Sequence, residues 1–77
     1  MNNGDVLPTS YEQWRHCIEV LGKTPLTRTY IGERLAELED DKHAKTREFA
    51  RLYGTDHLQR TIAWFRRAAD ELSGGRR

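Results

Sequence analysis

A chain of 77 residues, 36% hydrophobic and 32% charged, is long enough for one small core and too short for two domains. Its 13 Lys and Arg against 12 Asp and Glu leave a net charge of +1, which gives no strong field toward nucleic acid or acidic lipid. The single Cys excludes an internal disulfide, and no window approaches the roughly 18 apolar residues of a membrane span, so the cytoplasm is the expected compartment.

Asn2, Asn3, Gly4 and Pro8 fall in a stretch with no apolar period, and residues 1–8 read as a disordered leader. A single helical domain is expected over 9–73 and a flexible basic tail over 74–77. Thr9 with Glu12, or Ser10 with Gln13, has the capping-box spacing that opens a first helix over about 10–22. Tyr11, Trp14, Cys17, Ile18 and Leu21 would share its apolar face, with Gly22 as the stop. After a short connector, Thr27 is the next cap, and Leu26 and Ile31 sit at staple positions. The second helix, about 28–39, would bury Ile31, Leu35 and Leu38, with Gly32 and Ala36 small enough for another helix to approach or simply tolerated at the surface.

Asp40 and Asp41 offer a cap for a third helix over about 41–53, supported by an Asp41–Lys45 pair and carrying its apolar content late, in Phe49, Leu52 and Tyr53. Gly54 ends it. The fourth helix, about 56–72 with Thr55 as cap, is the most regular element: Leu58, Ile62, Phe65, Ala69 and Leu72 recur at steps of four, three, four and three. No stretch alternates at period two, so the fold class is all-α, a compact bundle of four short helices. A domain this small buries only about 60 to 65% of its unfolded surface, which leaves room for a partner or a homodimer to cover more.

The stretches PLTRTYIGERLAELED and FARLYGTDHLQRTIAWFRRA resemble a family of small uncharacterised bacterial proteins. That resemblance implies a bacterial or mobile-element setting and carries no active or binding residue across.

Glu12, His16 and Glu19 lie along one side of the first helix, where a solvated polar face explains them without a metal. Cys17 neighbours His16 but points away from it, so a small thiol on the apolar stripe is expected in place of a nucleophile. Ala50 and Gly54 match a helix-turn-helix, but Arg60 and Ala63 occupy positions that the motif needs apolar. Arg66 and Arg67 each have an acid four residues on, Asp70 and Glu71. No phosphate loop, cofactor motif or catalytic constellation emerges, and the expectation is a non-enzymatic protein that binds another protein or self-associates.

The candidate binding residues are Trp64, Arg60, Arg67 and His57. Trp64 lies off the main stripe, on the side shared with His57 and Thr61, and Arg60 and Arg67 flank it. Exposed, it would be a binding anchor of the Trp and Arg type; buried, it would make the fourth helix a two-sided core element. The rival is a nucleic-acid-associated factor using Arg60, Arg66, Arg67, Arg76 and Arg77, because residues 54–77 carry five Arg against three acids.

Overall fold

Two rows of side chains on one long helix hold the molecule together. In the computed structural model, which describes residues 8–74, this helix is α4, Thr55–Leu72, and it is preceded by α1, Tyr11–His16, α2, Arg28–Leu38, and α3, Ala44–Tyr53. The described residues form an all-α bundle without strands. The first row of α4 is the expected stripe, with Leu58, Ile62 and Phe65 buried, Ala69 half-buried and Leu72 at the exposed end. The second, His57, Thr61, Trp64 and Ala68, repeats at steps of four, three and four and is buried too. The Thr61 hydroxyl donates to the His57 carbonyl at 2.9 Å, so the polar member of this row satisfies itself within the helix.

Each remaining helix supplies large side chains to those rows. Trp14 of α1 meets Phe65 edge-on at 4.7 Å between ring centroids and Trp64 at 6.1 Å, and Tyr30 of α2 reaches Phe65 from the other side. Phe49 of α3 stacks on His57 at 5.7 Å with parallel planes. Burial of these aromatics, each worth on the order of 2 to 3 kcal/mol, supplies much of the core of so short a chain.

The start of α1 follows the Ser10 and Gln13 alternative. Ser10 Oγ accepts the Gln13 N–H at 3.1 Å, and Gln13 Oε1 accepts both the Thr9 N–H and its hydroxyl. Its end departs from expectation: Cys17–Leu21 is a π-helical turn, in which the Gly22 N–H reaches the Cys17 carbonyl five residues back at 2.9 Å. The wider turn rotates the chain off the stripe. Leu21, expected with Trp14 and Ile18, is 67% exposed, and Cys17 is only half-buried. Gly22 is not left-handed either. A Cβ there would crowd the Ile18 carbonyl oxygen at 3.0 Å and that of Cys17 at 3.2 Å, and the left-handed residue is Lys23, with φ 53°.

Thr27 caps α2 as expected, its Oγ1 accepting the Tyr30 N–H at 3.1 Å, and Leu26 and Ile31 are both buried as a staple requires. Gly32 meets no neighbour within 4 Å of where its Cβ would lie, and Ala36 is exposed, so the small-residue side of α2 faces solvent and receives no helix. The start of α3 is later than the aspartates suggested. Asp40 Oδ1 is occupied by the Lys42 N–H at 3.0 Å in a turn, and the cap is His43, whose Nδ1 accepts the Lys45 N–H at 3.1 Å. Asp41 therefore lies outside the helix, and no ion pair joins it to Lys45. At the junction of α3 and α4, Gly54 has φ 93° and ψ 152°, a conformation restricted to glycine, and it stands at the cap in place of Thr55, which is the first helical residue.

Candidate functional site

Trp64 is 9% exposed, with its ring 6.1 Å from Trp14 on one side and 6.0 Å from His57 on the other. An indole so enclosed has no area left to fill a partner's pocket; α4 is the two-sided core element. His57 is buried beside it in a box of aromatic rings, stacked on Phe49 and edge-on to Tyr53 and Trp64. Removal from water, reinforced by the Arg60 charge one turn on, holds the imidazole below its ordinary pKa and therefore neutral at pH 7. The neutral imidazole thus packs among rings, with no side-chain hydrogen bond to its nitrogens from the described residues.

The two arginines flanking Trp64 part company. Arg67 lies over the Tyr11 ring at 4.0 Å and pairs with Glu71 at 3.6 Å. Glu71 is a hub for that end of the bundle: Oε1 accepts from the Tyr11 hydroxyl at 2.7 Å and from Arg15 at 3.2 Å. Burial, and then the hydrogen bond to Glu71, push the Tyr11 hydroxyl above its ordinary pKa, so it stays protonated as a donor. Arg67 thus ties α1 to α4. Arg60 alone of the four candidates is exposed and without an ion-pair partner among the described residues. Arg66 pairs with Glu39, the residue that follows the end of α2, a longer-range partner than the Asp70 expected from spacing. Arg76, Arg77 and the residues 1–7 of the expected leader lie outside the described residues. Glu19, considered as a metal ligand with Glu12 and His16, is held by Arg15 through two bonds of 2.8 and 3.2 Å.

The surface that spacing did not single out is the outer face of α3. Its one buried residue is Thr46, whose hydroxyl donates to the Glu37 carbonyl and pins α3 to the end of α2. With that side turned inward, Leu52 is left 54% exposed, and Tyr53, on the Thr46 side but at the last position of the helix, is 46% exposed beside the half-buried Phe49. They line an open depression of about 470 Å³ with Ala44, Lys45 and Glu48. A signal was present in the sequence, since the apolar residues of α3 gather at one end. It pointed to the core because the polar residue that occupies the core there carries no apolar mark.

No helix among the described residues is long and apolar enough to cross a membrane. No family model, no curated protein and no solved structure matches the chain.

Proposed function

We propose that this chain is a non-enzymatic helical domain that binds another protein or a second copy of itself, and that the contact is made by the exposed end of α3. The observation that carries this reading is the pair Leu52 and Tyr53, two large apolar side chains about half exposed and contiguous with Phe49 on one helix face. Single exposed apolar residues are ordinary on any protein, whereas a contiguous group rimmed by charges, here Lys45 and Glu48, is the pattern of a contact surface. The cost of leaving such a patch in water is recovered when a partner covers it, which suits a domain too small to bury it itself.

A photo-crosslinking amino acid at Leu52 of the full chain, compared with the same group at Gln59 of α4, tests this in the native cell. Protein adducts at position 52 and not at 59 are expected, and an adduct of twice the chain's mass identifies self-association. Crosslinks equal at both positions, or only to nucleic acid, would overturn the reading; the latter would favour the arginine-based alternative, for which Arg60 is the exposed, unpaired group.

A further inference from the structure

Beside the apolar depression on α3 lies a second of about 480 Å³, lined by Lys42, Arg47 and Arg51, and the two share Ala44 and Glu48 as a common ridge. From Lys42 to Tyr53 the chain carries four cations against one acid, in a protein whose net charge is +1. Glu48 is used by Arg51 at 2.6 Å, and Lys42, Lys45 and Arg47 have no ion-pair partner among the described residues. The nearby acids are turned elsewhere: Asp40 accepts the Lys42 N–H in the turn, and Asp41 lines the opposite hollow with Leu38 and Leu58.

We propose that the outer face of α3 docks an acidic amphipathic helix of a partner protein, apolar anchors on Phe49, Leu52 and Tyr53 and carboxylates on the uncompensated Lys42, Lys45 and Arg47. This rests on the reading of α3 as the contact surface and names the chemistry of what it contacts. Charge complementarity selects this occupant. A second copy seated face to face would set three uncompensated cations against three, a like-charge juxtaposition that opposes association. A nucleic acid would use the cations and could stack a base on Tyr53, but the Glu48 carboxylate on the ridge between the two hollows opposes a phosphate backbone, and Leu52 adds apolar area with no ring to stack on. A helix fits in length as well: Phe49 to Tyr53 span about 6 Å at 1.5 Å per residue, which seats anchors one turn apart at i and i+3 or i+4, and the rest of the roughly 15 Å of α3 carries the cations.

The test is fluorescence anisotropy of the full chain with three probes: a designed helical peptide with Leu at those spacings flanked by Glu, its twin with every Glu replaced by Lys, and a single-stranded RNA of similar length. The acidic peptide should bind about ten-fold or more tighter than its twin, with the gap narrowing as salt rises. Leu52→Asp should weaken it by about 30-fold, as loss of an interface anchor does, and Arg47→Glu by several-fold, both with an unchanged thermal melt. Equal binding of the basic twin, tighter binding of the RNA, or indifference to Leu52→Asp would overturn the proposal. A selection from an unbiased library of displayed helices separates this failure from that of the wider reading. Selected helices that depend on Leu52 but lack acids would overturn the acidic partner and keep the surface; selected helices that never depend on Leu52 would overturn both.

Discussion

α3 and α4 are amphipathic helices joined through a single glycine, and they make opposite use of their apolar residues. α4 turns its apolar stripe and a second, mixed row inward, burying seven residues along eighteen. α3 buries one, Thr46, and leaves Leu52 and Tyr53 in water. The difference comes from position in the bundle. α4 is flanked by α1, α2 and α3, whereas α3 meets neighbours on only one side, α2 through Thr46 and α4 through Phe49. Amphipathicity by itself therefore does not say whether an apolar face is core; the number of helices available to cover it does.

The largest losses are expected at the buried pole, on α4. Phe65 is 3% exposed and wedged between Trp14 and Tyr30, and Phe65→Ala should cost about 3 to 5 kcal/mol. Trp64→Ala should cost about as much, because the indole is buried against both Trp14 and His57. Either variant is expected to melt well below the parent or to be unfolded at room temperature. A Trp64→Ala melt close to the parent's would instead return that residue to the surface.

A smaller effect is expected where α3 is pinned. Thr46→Val keeps the shape and removes the hydroxyl that donates to Glu37, at a cost of about 1 to 2 kcal/mol in a denaturant titration. No loss there would mean that α3 is held by its aromatic contacts with His57 alone.

Smaller again, and dependent on pH, is the effect of His57. Its folded pKa lies below the unfolded value of about 6.5, so the unfolded chain binds the proton first as pH falls. The contribution is nil well above pH 6.5 and turns destabilising as pH drops through that value toward the folded pKa. The melting temperature should accordingly fall between pH 7.5 and pH 5, and His57→Phe, which keeps a ring in the box, should fall less over the same interval. Equal slopes for parent and variant would show that the ring titrates freely.

Much of the bundle was legible in the chain because its signals are local. The Thr27 cap, the Leu26 and Ile31 staple and the α4 stripe depend on residues a turn or two apart, and they stand where spacing puts them. What escaped notice depends on groups that are not apolar by type or not adjacent in sequence. Thr46 enters the core with its hydroxyl donating to a carbonyl nine residues away, and His57 enters it with Phe49 lying over its ring. The π turn at Cys17–Leu21 is set by backbone hydrogen bonding, and an apolar spacing that fits an ordinary helix gives no warning of it. Trp64 is open to two readings in the sequence for a related reason: a Trp between two Arg looks the same whether its helix has one neighbour or three.

The smallest expected effect sits at the exposed pole, and it asks where along α3 the core stops. Leu52 is 54% exposed and enters no ring or core cluster, so Leu52→Ser should change stability by less than about 0.5 kcal/mol. Tyr53, one residue on, is nearly as exposed but meets Phe49 edge-on at 5.1 Å and His57 at 6.4 Å. Tyr53→Ala should therefore cost about 0.5 to 1.5 kcal/mol, the worth of its aromatic pairing beyond area. The two variants differ by one position in sequence and by one class of contact in space. Measured side by side by denaturant titration, a clear loss for Tyr53 with none for Leu52 places the boundary between them. Losses of equal size would extend the core across the whole end of α3 and remove the surface on which the proposed contact depends.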